Sequence, residues 1–176
     1  MVHILIGGSL EKGVLIKFLS SSLKEVSIKE LKEYKEKADI LIISNILNEE
    51  DFNKLKNYIY KFTIPIIITN GDDKLSNGLF TEGINSMLIT CGLNSKSSVT
   101  ASSITYEEES YRFNYCVQRA FFNLEGVLIE PMEIPVEIKI SGQYNIYNSL
   151  FVITVLLILG YVTEDVQNII GRASNN

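Results

Sequence analysis

Histidine and cysteine, which many nucleophilic active sites and most zinc sites require, are scarce in this sequence. The 176-residue chain contains one histidine, His3, and two cysteines, Cys91 and Cys116. His3 lies at the start of a predicted strand, and each cysteine lies in an apolar run with no second cysteine or histidine nearby. Ser-His or Cys-His catalysis and a zinc site with several histidines therefore lack the residues they require. Two isolated cysteines also disfavour a disulfide framework and fit a reducing cytoplasm.

The charge of the chain disfavours nucleic acid as a partner. The formal net charge is −5, from 16 Lys and Arg against 21 Asp and Glu. The most basic stretch, Lys24–Lys37, alternates lysines with glutamates, which is typical of a solvated helix face with i,i+4 ion pairs. Since nucleic-acid binding depends on a basic patch that neutralises phosphates, we expect no nucleic-acid partner.

Neither a signal peptide nor a membrane span is predicted. The first residues, Met1–Gly13, lack a basic region, and their apolar run is short. The most apolar run, Leu150–Leu159, has about half the length that a bilayer requires. An apolar helix of that length is more often covered by protein, so we expect a buried core helix there.

The elements that must position any site alternate between strand and helix in the first half of the chain. Apolar runs predict three buried parallel strands: Val2–Ile6, Asp39–Ser44 and Ile64–Thr69. Helical spacing of apolar side chains predicts two helices: Lys12–Leu23 and Glu49–Phe62. The polar segment Ile28–Lys37 is predicted as a short helix or turn, and Asn70–Asp73 as a loop.

The second half is richer in strands. We expect strands at Ser86–Cys91, Val99–Tyr106, Tyr111–Val117, Gly126–Ile129 and Val136–Ile140. Two helices follow, from about Asn145 to Leu159 and from Thr163 to about Ile170. The predicted fold class is α/β, with a P-loop-like, mostly parallel sheet flanked by helices and a small antiparallel β section. No linker or composition change divides residues 1–176, so we predict a single domain.

Four segments, in the same order along the chain, resemble motifs of one protein family. The most specific is Gly142–Leu150, GQYNIYNSL, which follows the pattern G-x-H-N-x-x-N-A-L with Tyr144 and Ser149 in place of His and Ala. The others are Ala38–Ile46, ADILIISNI; Ile66–Asp73, IIITNGDD; and Ile89–Ile104, ITCGLNSKSSVTASSI. Together these segments resemble the central ATP-binding domain of the Mur ligases, the cell-wall peptide ligases, in a shortened form.

The resemblance implies a nucleotide role for two asparagines. In the family, an asparagine of the last motif, at the start of a buried helix, helps to hold the adenine of ATP. Asn145 and Asn148 stand at the matching positions. Both also suit a helix start, where asparagine caps free N–H groups, so the adenine role and the capping role stay open.

The phosphate-binding loop of the family, G-T-N-G-K-T-T, corresponds here to Gly8–Val14, GSLEKGV. The resemblance implies that Gly8, Ser9 and Lys12 contact phosphate through backbone N–H groups and an ammonium. Glu11 replaces the second glycine and repels phosphate, and Gly13 replaces the threonine that binds magnesium. We therefore expect binding of ATP and magnesium to be weak or lost. A surface lysine that begins a helix is the favoured interpretation of Lys12.

The family's metal-binding positions are also altered. Its Asp-His pair corresponds to Ile46–Asp51, which is acidic but has no histidine. Glu25 resembles a second metal ligand, yet the long substrate-binding segment that precedes this ligand in the family is deleted here. An ordinary surface glutamate is the favoured interpretation of Glu25. Lys61 is an out-of-register counterpart of the family's modified lysine. We predict no catalytic residue and no metal ligand.

These departures predict a degenerate, non-catalytic scaffold or binding module related to the cell-wall peptide ligases. The family's N-terminal UDP-sugar domain and C-terminal ligase domain are expected to be absent, and the location is expected to be cytoplasmic. The alternative is an ATP-binding, carboxylate-amine ligase-type protein of peptidoglycan precursor synthesis that acts with a partner chain. It would use Gly8, Ser9, Lys12, Asn145 and Asn148. An unrelated α/β function and the oligomeric state are left open.

Overall fold

The structure is a computed structural model that describes residues 1–8, 12–23, 25–31, 35–81, 83–107, 110–139 and 146–173, the side chains of 172 and 173 excepted. The chain divides into two compact units, Met1–Thr90 and Cys91–Asn176. The single domain predicted from the sequence stays a prediction.

The first unit is a parallel sheet with helical connections. Its elements are β1 Val2–Gly7, α1 Lys12–Ser22, β2 Val26–Glu30, β3 Ile40–Ile43, α2 Glu49–Lys61, β4 Ile66–Asn70, α3 Lys74–Gly78 and β5 Met87–Cys91. The strands lie in the order β5-β4-β3-β1-β2. The three strands and two helices predicted before residue 70 are therefore present. The short helix α3, directly after the predicted loop Asn70–Asp73, was not predicted from the sequence.

The direction of the chain across this sheet reverses at β1. The strand β2 pairs with one edge of β1, and β3 pairs with the other, both in parallel. The loops after β1 and β3 therefore leave the sheet side by side at its carboxyl edge. In open parallel sheets this switch point is where ligands bind.

The prediction of a helix or turn is wrong for Ile28–Glu30, because these residues belong to the edge strand β2. Residues 32–34 of the predicted segment lie outside the described residues. The residues of β2 pair in register with β1, from Val26 opposite Val2 to Glu30 opposite Ile6. The alternation of Val26, Ser27 and Ile28 has the period of a strand, which the surrounding charges concealed. The helix face predicted for Lys24–Lys37 is wrong for the same reason. One ion pair of this stretch, Lys29 to Glu36 at 3.1 Å, joins residues seven apart rather than four.

One face of the first sheet is covered by α2. Its buried apolar side chains form a cluster with those of the strands. Tyr58 of α2 is 1% exposed and donates a hydrogen bond of 2.6 Å to the carbonyl oxygen of Glu36. Burial raises the pKa of Tyr58 to about 12, so this hydroxyl stays protonated and keeps its role as donor.

The second unit contains the predicted antiparallel section. Its elements are β6 Val99–Glu107, β7 Ser110–Val117, β8 Phe121–Phe122, β9 Leu128–Ile129, β10 Met132–Lys139, α4 Ile146–Ile158 and α5 Thr163–Ala173. The strands β6, β7 and β10 are antiparallel neighbours, and β8 pairs with β9 in a separate hairpin. The fold class is confirmed: among the described residues, eight strands form a mostly parallel sheet flanked by helices, beside a small antiparallel one.

The helix α4 is the buried core helix that its apolar sequence predicts. Every residue from Asn148 to Ile158 is buried. Within the described part of the chain, no helix is long and apolar enough to cross a membrane.

A polar cluster lies inside this apolar unit. Thr154 of α4 donates to the carbonyl oxygen of Leu150 at 2.7 Å, and its oxygen lies 2.8 Å from the Tyr115 hydroxyl. Since the threonine proton is already donated, Tyr115 is the donor to Thr154. The Cys91 sulfur lies 3.4 Å from the same oxygen, and burial raises the pKa of this thiol to about 12. One hydroxyl therefore satisfies buried groups from several elements.

Replacing Thr154 with valine keeps the shape but removes the acceptor for the Tyr115 hydroxyl. We expect Thr154→Val to lower the free energy of unfolding by about 1–3 kcal/mol in urea titrations, because a buried donor loses its partner. The matched control is Thr105→Val on the exposed part of β6, expected to change it by less than about 0.5 kcal/mol. Equal losses of unfolding free energy in the two variants would contradict the role of Thr154 as the acceptor for Tyr115.

Candidate functional site

The loop after β1 approaches the loop after β3 too closely for any residue but glycine at position 8. Gly8 has a φ of +98°, in the left-handed region. A Cβ atom there would lie 2.6 Å from the Asn45 carbonyl oxygen and 2.9 Å from the Ser44 Oγ. The predicted site residue Gly8 therefore sits at the switch point of the sheet, and its backbone forms one wall of the carboxyl edge. The next predicted residue, Ser9, lies outside the described residues.

Two asparagines join the ends of neighbouring strands at this edge. Asn70, the last residue of β4, donates from Nδ2 to the Oδ1 of Asn45 after β3, at 2.6 Å. Its own Oδ1 accepts from the backbone N–H of Asp72 at 2.9 Å. Both asparagines belong to segments that resemble family motifs. Each therefore has a structural reason to be present.

Asp73 ties the same two loops together. Its carboxylate accepts from the backbone N–H of Ile46 at 2.9 Å and from the Ser76 hydroxyl at 2.6 Å. It also caps α3 by accepting from the N–H groups of Leu75 and Ser76. A carboxylate with this many donors organises the loops rather than standing ready for a ligand.

Lys12 begins α1 at the carboxyl edge of β1 and β2. Its Nζ lies 2.9 Å from the Oε1 of Glu30, with the two side chains 25% and 33% exposed. Glu30 is the last residue of β2, so the strand order brings this carboxylate beside the predicted phosphate-binding lysine. Glu30 is not among the predicted site residues, because Ile28–Lys37 was predicted as helix or turn. The period-two alternation of Val26–Ile28 indicates a strand, and a strand there would have placed Glu30 at the carboxyl edge.

Position 13 provides no side chain for a ligand. Gly13 lies in the first turn of α1, and a Cβ atom there would have nothing within 4 Å. Neither the backbone nor the packing requires glycine at this position. The space around a Cβ atom at position 13 is therefore open among the described residues.

Other predicted candidates have ordinary structural settings. Asn48, in the segment that replaces the family's Asp-His pair, caps α2 by accepting from the N–H of Asp51 at 2.8 Å. Lys61 ends α2, at the amino edge of the sheet, and its Nζ lies 5.1 Å from the centre of the Phe62 ring. Glu25 is exposed before β2. Among the described residues, no group of three or more His, Cys, Asp or Glu side chains could hold a metal ion.

The predicted adenine residues belong to the second unit. Asn148 lies near the start of α4 and is 1% exposed. Asn145 lies outside the described residues. Gly8 and Lys12 are thus placed together at the carboxyl edge of the first unit, while the burial of Asn148 gives it a place in the core of the second.

Two glycine substitutions test the close approach at the carboxyl edge. Gly8→Ala should lower the free energy of unfolding by about 1–3 kcal/mol from the positive φ alone, with more from the contact with Asn45. Gly13→Ala should instead raise it by about 0.5–1 kcal/mol, because alanine favours the helix and meets no neighbour. Chemical denaturation measures both, and a harmless Gly8→Ala would contradict the described loop contact.

Comparison with known proteins finds a family and a set of related folds. The family model for the Mur ligase middle domain matches residues 25–156. No curated protein sequence matches the chain significantly. Among solved structures, MurF from Acinetobacter baumannii is similar, with a TM-score of 0.72 and 15% identity over 97% of this chain and 45% of that protein.

Two further ligases have the same fold. A murein peptide ligase, Mpl, from Psychrobacter arcticus 273-4 has a TM-score of 0.69 and 11% identity over 96% of this chain and 46% of that protein. UDP-N-acetylmuramate-alanine ligase MurC from Thermotoga maritima has a TM-score of 0.65 and 16% identity over 97% and 44%. The chain thus spans less than half the length of these relatives. Because the family model covers most of the sequence, the chain belongs to the Mur ligase family, in the part that forms the middle domain.

Proposed function

We propose that this chain is a degenerate Mur ligase middle domain that serves as a non-catalytic scaffold or binding module in cell-wall peptide synthesis. The observation that carries the proposal is Gly13. It stands where the family has a magnesium-binding threonine, and a Cβ atom there would meet no described atom within 4 Å. The packing of the described residues therefore does not explain the absence of that hydroxyl.

The setting of Lys12 supports the same conclusion. Its ammonium already has a carboxylate partner at 2.9 Å, so a phosphate must compete with Glu30 for it. Glu11, one residue before Lys12, adds a second negative charge to the loop sequence. The Glu30 carboxylate beside Lys12, together with the negative charge of Glu11 in the loop sequence, lowers the attraction of this end of the domain for a triphosphate.

The alternative is an ATP-binding, ligase-type protein that acts with a partner chain. The retained conformation of Gly8 and the position of Lys12 at the switch point favour it. In that case, backbone N–H groups of the loop and the Lys12 ammonium would bind the phosphates, and Asn145 or Asn148 would hold the adenine. ATP with magnesium would supply the activation of a carboxylate as an acyl phosphate. To contact the phosphates, the Lys12 ammonium would have to break its ion pair with Glu30.

Thermal unfolding with and without Mg-ATP separates the two functions. A ligand present at 100 times its dissociation constant stabilises the native state by about 2.7 kcal/mol, which raises Tm by about 5–10 °C in a chain of this size. With 5 mM Mg-ATP, which is about 50 times a dissociation constant of 0.1 mM, ATP binding would raise Tm measurably. We expect no rise in Tm in the wild type, in Lys12→Ala or in Lys17→Ala.

Lys17→Ala is the matched control, because Lys17 is an exposed lysine of the same helix. A rise in Tm that persists in Lys17→Ala and disappears in Lys12→Ala would overturn the loss of ATP binding and establish the alternative. Release of phosphate from ATP by the wild type, absent in Lys12→Ala, would overturn the non-catalytic role.

A further inference from the structure

The hairpin of the second unit exposes a group of large apolar side chains. This hairpin surface consists of Phe122, Val127, Leu128 and Val162, which are 52%, 56%, 47% and 61% exposed. Phe122 of β8 and Leu128 of β9 are direct partners across the hairpin, so their side chains lie on the same face. Single exposed apolar residues are common, but a contiguous group marks an interaction surface.

The hairpin is held in one conformation. The Asn123 Oδ1 accepts from the N–H groups of Glu125 and Val127, at 2.9 and 2.8 Å. Gly126 provides the positive φ of +79° that the turn requires. The buried side chain of Phe121 and a hydrogen bond of 2.9 Å from the Leu124 N–H to the Ile158 carbonyl oxygen attach the hairpin to α4. A surface fixed in this way loses little entropy when it binds.

A cavity beside the hairpin can receive a side chain. Its volume is about 490 Å³, and Val127, Leu128, Leu157 and Val162 contribute to its lining. Three of these four residues also belong to the hairpin surface. The apolar surface and the cavity are therefore continuous and can accept one apolar segment.

The charges around the cavity are negative. Glu130 lines it, and none of the described residues that line it is a lysine or arginine. The Glu125 carboxyl carbon would lie 4.0 Å from a Cβ at Gly160, another lining residue. Glu164 and Asp165 occupy the first turn of α5, next to the lining residue Thr163. An incoming segment with lysine or arginine beside its apolar residues would thus find complementary charge.

We propose that the hairpin surface binds a partner protein through a segment with large apolar side chains flanked by lysine or arginine. A second copy of this chain is a poorer occupant, because its own acidic rim would face an identical rim and both copies carry a net charge of −5. The apolar side chains bury against Leu128 and Val162, and the basic flanks lie beside Glu130.

The hairpin surface is separate from Asn148, one of the residues proposed to hold the adenine of ATP. It lies at the end of α4 that leads to Gly160, whereas Asn148 lies near the other end of this 13-residue helix. Thirteen helical residues span about 20 Å. Success or failure of ATP binding therefore leaves the hairpin proposal unaffected.

The chain has no tryptophan, so a tryptophan in a probe peptide reports binding without background. The probe is a blocked heptapeptide in which two lysines flank each side of Leu-Trp-Leu; its counterparts carry glutamine or glutamate instead of lysine. We expect a saturable blue shift of tryptophan fluorescence with the lysine peptide. We expect affinity at least about tenfold lower for the glutamate peptide, a tenfold change corresponding to about 1.4 kcal/mol.

Variants locate the site. Leu128→Gln and Val162→Gln should each weaken binding of the lysine peptide about tenfold or more, and Glu130→Gln should reduce its dependence on salt. The control is Ile104→Gln, which removes an exposed apolar side chain of β6 and should have no effect. Circular dichroism melting checks that each variant is folded.

Three results would overturn the proposal. One is absence of binding by the lysine peptide, and another is binding that Leu128→Gln and Val162→Gln leave unchanged. The third is self-association of the wild type in sedimentation velocity that Leu128→Gln abolishes, which would assign the surface to a second copy.

Discussion

The close contact between the loops after β1 and β3 sets the geometry of the carboxyl edge. Because residue 8 is glycine, the backbone after β1 can lie against the backbone of Asn45. The Asn45 side chain accepts a hydrogen bond from Asn70 at 2.6 Å. Asp73 then fixes the loop after β3 to the start of α3. The ends of β3 and β4 are thereby held by side-chain hydrogen bonds as well as by the sheet, and the end of β1 lies against them through Gly8. Lys12 and Glu30 lie at the same edge of the sheet.

The motifs shared with the Mur ligases can therefore persist without the reaction. Asn45, Asn70 and Asp73 have hydrogen-bond partners within the protein, and their loss would weaken the loops whether or not ATP binds. Gly13 differs, because the fold places no demand on that position. The residues that hold the loops together are present, whereas Gly13 stands where the resemblance to the family implies a magnesium-binding threonine. This difference is the physical basis for separating family membership from catalysis.

Sequence patterns predicted the buried strands and long helices well, because apolar runs and helical spacing report directly on burial. The strands β1, β3 and β4 and the helices α2 and α4 are examples. The edge strand β2 was missed, because an edge strand buries little and its charges imitate a helix surface. Because β2 was missed, Glu30, which forms an ion pair with Lys12, was missed as well. The Asn45–Asn70 bond was also beyond sequence analysis, since it depends on strand order. Asn148 was placed in the correct helix, but its burial follows from packing that no local pattern reveals.

We propose that Glu11 and Gly13 have removed ATP and magnesium binding from this Mur ligase middle domain while its sheet and loop contacts are kept. Isothermal titration calorimetry of Mg-ATP into the wild type and into the double variant Glu11→Gly with Gly13→Thr tests it most directly. We predict no binding heat for the wild type at millimolar ATP and saturable, magnesium-dependent binding for the double variant. Magnesium-dependent binding of ATP by the wild type with a dissociation constant in the micromolar range would contradict the account.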